Sequence, residues 1–248
     1  MFLALFFLGF VQGLTEFLPV SSSGHLVLFS KVFGIEESLF VSIILHVATL
    51  LSVVVVLRKE VWHIIRHPFS KESMQLIMAT IPTCIIALIF MPILKDSFNG
   101  VLLPLCFLIS AILLMFSQRV KNGNKFDYKT ALFMGIAQGF AIFPGLSRSG
   151  TTISAGLLSK GEREKVTKFS FIMSLPIIVL SLILELYEIF VVGESITIQF
   201  WPMIISFLTA FVTGVFAIKF MIKATAKANL TWFALYLVLI AIISLFIL

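Results

Sequence analysis

The sequence predicts an all-α integral membrane protein with six transmembrane helices and two re-entrant helical hairpins, arranged as an inverted-topology repeat. Three observations predict it. First, 60% of the 248 residues are apolar and only 12% are charged, whereas soluble domains are about half apolar and about a quarter charged. Second, six apolar stretches approach the roughly 20 residues that cross a bilayer. Third, a 16-residue motif occurs twice.

The six apolar stretches are separated by loops of contrasting charge. Fifteen of the eighteen Lys and Arg residues lie in four clusters at their ends, and basic loops remain in the cytoplasm. The loops 31–38, 94–100 and 193–199 are neutral or acidic and are therefore expected outside. Because the basic clusters explain the net charge of +6, we predict no nucleic-acid binding. The predicted spans are 39–57, 74–93, 101–118, 169–192, 200–218 and 230–248.

The duplicated motif reads GFVQGLTEFLPVSSSG at 9–24 and GIAQGFAIFPGLSRSG at 135–150, with seven identical positions. The copies differ in their ionisable residues. The first contains Glu16 and is followed by His25, whereas the second contains Arg148 and is followed by Thr151. Two copies of one scaffold therefore carry complementary chemistry.

The charge pattern assigns each motif to a hairpin in one half of the chain, the halves being 1–118 and 131–248. The hairpin at 131–160 is flanked by basic clusters and so enters and leaves from the cytoplasm, whereas that at 1–30 leads to an outer loop. Three spans complete each half, and this odd number of crossings inverts the second copy. The two hairpin tips are therefore expected to meet near the midplane, with His25 in contact with Arg148. The apolar first ten residues show no cleavage pattern, so we expect no removable signal peptide.

Small and polar residues suit the hairpin tips. Irregular backbone at membrane depth is tolerated only inside protein or beside a wet cavity. Gly24 and Gly150 are expected to permit tight turns, and Pro19 and Pro144 to end the preceding helices. The motif serines can cap freed backbone groups. The helices that follow present N-terminal N–H groups, which bind anions.

Ionisable residues within apolar segments are costly and usually functional. The guanidinium fork of Arg148 matches phosphate oxygens; the alternative is that Arg148 forms a buried pair with Glu16. His25 can act as a nucleophile, a general acid or a proton shuttle, or it can be a satisfied hydrogen-bonding group. Ser22 is a candidate nucleophile if His25 accepts its proton, although it can equally cap a helix.

Glu16 lies four residues after Gln12, so both side chains share one helical face. Together with substrate phosphates they can hold a divalent cation; Glu16 can otherwise orient His25 or brace the turn. His46 is expected to make a helix–helix hydrogen bond, and Glu185 and Glu188 to lie near an outer helix end. The further candidate phosphate-binding residues are Ser21, Ser23, Ser147, Ser149 and Thr151.

The segments QGLTEFLPVSSSGHL at 12–26 and FPGLSRSGTT at 143–152 resemble the undecaprenyl-diphosphate phosphatase family, also called the bacitracin-resistance family. The first matches the family's (Glu/Gln)-x-x-x-Glu segment and Ser-Ser-x-Gly-His ending, and the second its Pro-Gly-x-Ser-Arg-Ser signature. Spacing, length and hydropathy agree over essentially the whole chain. The pair of motifs is specific to this family.

The resemblance implies hydrolysis of a C55 polyprenyl diphosphate to the monophosphate and inorganic phosphate, in the bacterial plasma membrane. It implies catalytic roles for Glu16, Ser22, His25 and Arg148, lesser phosphate contacts from Ser147 and Thr151, a Mg²⁺ or Ca²⁺ requirement, and a site open to the outer face. This chain departs from many members in having Gln12 where they have Glu, which makes a two-carboxylate mechanism doubtful here.

The repeat architecture also occurs in a different functional class. Inverted repeats with broken helices also occur in secondary transporters, so a transporter or flippase for polyprenyl phosphate lipids is the alternative. A membrane scaffold leaves the motif charges unexplained. The sequence leaves open whether Ser22 or His25 is the nucleophile, which metal and lipid length are preferred, and whether the chain forms a homo-oligomer.

Overall fold

The computed structural model describes residues 2–33, 39–97, 101–120, 123, 125–192, 200–227 and 230–248. These residues form helices and turns with one isolated bridge between Lys125 and Gly161, which confirms the predicted all-helical class. Most of the predicted outer loops, at 34–38, 98–100 and 193–199, lie outside the described residues. The helices are α1 Phe2–Thr15, α2 Ser22–Phe33, α3 Leu39–Val56, α4 Arg58–Arg66, α5 Lys71–Ser97, α6 Leu103–Gln118, α7 Tyr128–Phe140, α8 Arg148–Leu158, α9 Arg163–Tyr187 with a π-helical turn Glu188–Val192, α10 Phe200–Ala226 and α11 Thr231–Ile247.

Three of the described helices, α5, α9 and α10, are long and apolar enough to cross a membrane. A fourth span results if α3 and α4, which meet at a bend of 87°, are counted together. The helices α6 and α11 are apolar but shorter, at 16 and 17 residues. The chain is therefore a multi-pass membrane protein, as its composition predicts.

The distribution of side chains is that of a protein surrounded by lipid. Large apolar residues cover the outside; Leu88 on α5 and Phe246 on α11 are 68% and 86% exposed. Small polar residues face inward, and Ser52, Ser110 and Thr83 are fully buried. Small and hydroxyl-bearing residues allow close helix approach and interhelical hydrogen bonds where the surrounding solvent is as apolar as leucine.

The duplicated motifs form two helical hairpins, α1–α2 and α7–α8. At about 1.5 Å per residue, α7 and α8 are roughly 20 Å and 17 Å long, shorter than the about 30 Å hydrocarbon core. The first helices end at Thr15 and Phe140, a few residues before Pro19 and Pro144. In each hairpin the turn between the two helices therefore lies within the duplicated motif.

Each hairpin packs against the long helix of the opposite half. Helix α1 lies along α10, and α7 lies along α5. Glycines allow both contacts: a Cβ on Gly9 would collide with the Ser206 carbonyl oxygen, and one on Gly135 would collide with that of Ala79. The first helix of each hairpin thus packs on a long helix of the other half, and the two contacts are equivalent.

The predicted cytoplasmic segments meet at one end of the bundle. The Lys125–Gly161 bridge joins the start of α7 to the segment after α8. Arg163 donates to the carbonyl of Val120 at 2.7 Å, and Lys168 pairs with Glu60 at 3.3 Å. Hence the hairpin α7–α8 begins and ends at this basic end.

Candidate active site

The tips of the two hairpins meet in the interior of the bundle. A Cβ on Gly24 would lie 2.9 Å from the Cα of Gly145. The Ser149 hydroxyl donates to the carbonyl of Leu18 at 3.0 Å. The two copies of the duplicated motif are thus neighbours in space, and the N-termini of α2 and α8 begin at this junction.

The tight turns of the two tips occur at residues other than Gly24 and Gly150, where they were expected. Gly24 and Gly150 lie within the first turns of α2 and α8 rather than in the tight turns. Positive φ angles occur instead at Gly145 (88°) and Ser21 (70°). Ser21 is strained, since a left-handed conformation is uncommon outside glycine. What Gly24 provides is room: a Cβ there would lie 2.6 Å from the Phe107 ring.

Two of the candidate phosphate-binding serines cap the helices. Ser21 Oγ accepts from the Gly24 N–H at 3.3 Å, and Ser147 Oγ accepts from the Gly150 N–H at 3.1 Å. These equivalent bonds satisfy N–H groups that a helix N-terminus leaves free. Ser23 and Ser149 each lie beside the capping hydroxyl, at 3.5 Å and 3.4 Å.

Glu16 is the centre of a polar network that joins the tips. Its side chain is only 4% exposed. One carboxylate oxygen forms an ion pair with Arg148 of the opposite half. The other oxygen accepts from Ser22 Oγ at 2.7 Å and from Gln12 Nε2 at 3.1 Å. The structure thus contains the Glu16–Arg148 pair that sequence reasoning gave as the alternative role of Arg148.

The proton acceptor beside Ser22 differs from the one expected. The Ser22 hydroxyl donates to Glu16, whereas the Nδ1 and Nε2 atoms of His25 are bonded to the Ser21 carbonyl and to the Tyr236 hydroxyl, both at 2.7 Å. Likewise, the expected meeting of His25 with Arg148 is replaced by that of Glu16 with Arg148. The carboxylate, rather than the imidazole, is in place to accept the serine proton.

No group of three or more His, Cys, Asp or Glu side chains that could hold a metal ion occurs among the described residues, so a cation at the junction would have Glu16 and Gln12 as its only candidate protein ligands there. Gln12 Oε1 is buried and has no hydrogen-bond partner among the described residues, and it belongs to a side chain bonded to the Glu16 carboxylate. Amide and carboxylate oxygens are the ligands that Mg²⁺ and Ca²⁺ prefer. On the opposite tip Thr151 Oγ1 is also buried without a partner in the described part of the chain. The amide oxygen of Gln12 can ligate a cation, and the hydroxyl of Thr151 can donate to a phosphate oxygen.

The other intramembrane histidine serves helix packing. His46 on α3 lies 3.5 Å from a carboxylate oxygen of Glu185 on α9. Ser42 donates to the same carboxylate at 3.3 Å. This is the helix–helix contact expected for His46, and it joins the two halves away from the tips.

Sequence reasoning missed two residues that hold His25. Tyr236, on α11, is hydrogen bonded to the imidazole, and Phe107, on α6, contacts its ring edge-on at 5.8 Å. Both lie far from the motifs in sequence. The available signal was the hydroxyl of Tyr236 within a largely apolar span.

Comparison with known proteins identifies the family of the chain. Residues 5–243 match the family described as Bacitracin resistance protein BacA. The chain belongs to the BacA family. The resemblance inferred from the two motifs is thereby confirmed.

Relatives within the BacA family carry a consistent name. The chain is 41% identical to the undecaprenyl-diphosphatase of Carboxydothermus hydrogenoformans, over 92% of this chain and 90% of that protein. It is 41% identical to undecaprenyl-diphosphatase 3 of Bacillus cereus, over 93% and 91%. It is 38% identical to the undecaprenyl-diphosphatase of Christiangramia forsetii, over 92% and 91%.

Proposed function

We propose that the junction of the two hairpin tips is the active site of an undecaprenyl-diphosphatase, which hydrolyses undecaprenyl diphosphate to undecaprenyl phosphate and inorganic phosphate. This recycles the lipid carrier for peptidoglycan and other envelope polymers. The observation that carries the proposal is the network of Arg148, Glu16 and Ser22, in which an anion-binding cation, a proton acceptor and a nucleophile meet in a BacA-family chain.

The ion pair of Arg148 and Glu16 represents the resting state of the site. A diphosphate competes with Glu16 for the guanidinium fork, which binds phosphate oxygens bidentately. Capture of Arg148 by the phosphate releases one oxygen of Glu16 while the other remains bonded to Ser22. The helix N-termini of α2 and α8, the Thr151 hydroxyl and the motif serines add N–H and O–H donors, because phosphoryl transfer depends mainly on positioning and charge stabilisation.

Ser22 is the nucleophile that the geometry favours. Its oxygen attacks the terminal phosphorus, its proton passes to Glu16, and the bond to the bridging oxygen breaks with undecaprenyl phosphate as the leaving group. Water then attacks the phosphoserine and gives its proton to His25, while Glu16 returns its proton to the Ser22 oxygen as the bond to phosphorus breaks and inorganic phosphate leaves. A phosphohistidine route is disfavoured because the ring nitrogens of His25 are bonded to Ser21 and Tyr236, whereas the Ser22 hydroxyl is bonded to the carboxylate that pairs with Arg148.

We propose that a divalent cation binds beside Glu16 and Gln12, with phosphate oxygens of the substrate as its further ligands. It would supply charge neutralisation for the diphosphate, as hard cations do in phosphoryl transfer. The unpartnered Oε1 of Gln12 supports this placement. Because the second position is an amide rather than a carboxylate, only one protein charge opposes that of the cation, and the substrate provides the rest.

The membrane arrangement that accompanies this function is the inverted repeat. We place α3, α5, α6, α9, α10 and α11 across the bilayer and the two hairpins as re-entrant segments, with residues 1–118 and 131–248 as the repeats. The exchanged packing of α1 on α10 and α7 on α5 supports this, as does the return of α7–α8 to the basic end. From the family resemblance we further propose that the site opens toward the outer face, where the polyprenyl tail enters from lipid.

The direct test is phosphate release from undecaprenyl diphosphate by purified protein, with and without Mg²⁺ or Ca²⁺. We expect the wild type to release phosphate, to depend on the cation, and to yield a trapped phosphoserine at residue 22. Ser22→Ala should lose at least about 10³-fold in kcat. Ser244→Ala is the matched control, because its buried hydroxyl donates only within its own helix.

Two outcomes would contradict the proposal. A label on His25 would transfer the nucleophile's role to the imidazole. Absence of phosphate release under all cation conditions, together with movement of polyprenyl phosphate between leaflets of a vesicle, would favour the transporter alternative.

A further inference from the structure

We propose that Tyr236 is a positioning residue for His25, which holds the imidazole in one orientation with its Nε2 lone pair directed at the tyrosine hydroxyl. The inference builds on the role proposed above for His25. It adds a residue outside both motifs, from the last helix of the opposite half.

The contact between the two side chains is specific. Tyr236 Oη lies 2.7 Å from His25 Nε2. The two rings are also nearly parallel, with an interplanar angle of 7° and centroids 5.6 Å apart. Phe107 meets the imidazole edge-on at 76°. The ring of His25 is therefore held between aromatic side chains from α6 and α11, which restricts its rotation.

The partners of His25 define the tautomer. The Ser21 carbonyl can only accept a hydrogen bond, so the Nδ1 atom that contacts it at 2.7 Å must carry a proton. In a neutral ring Nε2 is then unprotonated, and the Tyr236 hydroxyl donates to it. A hydroxyl both donates and accepts. Tyr236 can therefore pass its own proton to Nε2 while it takes one from water, and it then accepts from the protonated Nε2. Tyr236 can therefore pair with the base in either protonation state.

The placement of Tyr236 argues against a purely packing role. A tyrosine near the surface of a membrane protein usually directs its hydroxyl toward water. Tyr236 is 39% exposed, yet its hydroxyl turns inward to the buried His25. A phenylalanine would preserve the ring stack and remove only the hydrogen bond, which makes the hydroxyl separately testable.

The first measurement is the kinetics of Tyr236→Phe. Because Tyr236 acts on the base rather than on the phosphate, we expect kcat to fall about 10-fold while KM changes less than about 3-fold. Tyr128→Phe is the matched control; Tyr128 is 42% exposed at the start of α7 and should be replaceable without loss. A melting temperature close to that of the wild type would exclude unfolding as the cause.

The second measurement is ¹⁵N NMR of protein labelled at its four histidines, with His25 assigned by comparison with His25→Gln. In Tyr236→Phe the Nε2 signal of His25 should move downfield, because an acceptor nitrogen loses its donor, while Nδ1 keeps its proton. An unchanged Nε2 signal, or an unchanged kcat, would overturn the proposal.

The two measurements separate this proposal from the one on which it rests. If His25→Ala retains turnover, the catalytic role of His25 is wrong, whatever the NMR spectrum shows. If His25→Ala is inactive but Tyr236→Phe behaves as wild type in both assays, His25 acts without Tyr236. Only loss of kcat together with the shifted Nε2 signal supports the positioning role.

Discussion

The two hairpin tips share a backbone plan and differ in side-chain chemistry. In both, a serine caps the second helix of the hairpin and a second serine lies beside it. The equivalent glutamines diverge, however. Gln12 donates to Glu16, whereas Gln138 donates to the carbonyl of Met173 at 3.2 Å, since the residue equivalent to Glu16 is the apolar Ile142. Duplication preserved the scaffold, and substitution at a few positions made the two tips complementary.

The tips also differ in where the backbone is strained. In the second tip the left-handed residue is Gly145, which adopts this conformation at little cost. In the first tip it is Ser21, with φ 70°. The Ser21 carbonyl accepts from both the N–H and the Nδ1 of His25. The unusual conformation is thus found in the tip that carries the base, where it orients the imidazole.

The largest expected effect comes from separating the complementary charges. Arg148→Ala should lower kcat/KM by about 10³-fold or more, the range seen when an arginine that stabilises transferred phosphate is lost. Arg148→Lys keeps the charge but not the fork, so it should recover only part of the activity. Phosphate release at several substrate concentrations measures both, with Arg119→Gln, outside the hairpin tips, as the control.

A charge exchange sharpens the same comparison. The double variant Glu16→Arg with Arg148→Glu can re-form a buried pair, so its melting temperature should exceed that of Arg148→Ala, which leaves Glu16 unpaired. It should nevertheless stay inactive, because Ser22 then lacks its acceptor. Activity in this variant would mean that the tips are interchangeable and that the assignment of roles is incorrect.

An intermediate effect is expected where the halves are alike. Gly9→Ala and Gly135→Ala each force a Cβ against a backbone carbonyl of the facing helix. Such overpacking costs about 1–3 kcal/mol, so both variants should unfold at similarly lowered temperatures in detergent. Val212→Ala, at a lipid-facing position of α10, should change little. A large loss in only one glycine variant would contradict the equivalence of the two contacts.

The helical class and the meeting of the motifs could be predicted from the sequence, whereas the hydrogen-bond partners of Ser22 and His25 could not. Hydropathy and charge predicted the helical class because that class is encoded in local composition. The repeat predicted that the motifs meet because an inverted duplication brings its two tips together. The sequence suggested His25 as the proton acceptor of Ser22, whereas the structure has Glu16 in that position, since both residues lie within a few positions of Ser22 and only the left-handed turn at Ser21 decides between them. It did not indicate Tyr236, whose role depends on the packing of α11 against α2, 211 residues from His25.

The smallest effect concerns how the second hairpin begins. Asp127 caps α7, accepting from the Thr130 N–H at 2.8 Å and the Thr130 hydroxyl at 2.9 Å. These bonds lower the pKa of the Asp127 carboxyl below its usual value, so its stabilising effect is present at neutral pH and is lost as the pH falls through the lowered pKa.

Asp127→Ala should cost about 1 kcal/mol at pH 7, measured as a lower melting temperature, and the difference in melting temperature from the wild type should narrow below about pH 4. Asp127→Asn keeps an uncharged cap, and its smaller deficit should likewise narrow in acid, since only the wild-type carboxylate titrates. A deficit for Asp127→Ala that is the same at neutral and acidic pH would show that the ionised carboxylate does not stabilise the start of this hairpin.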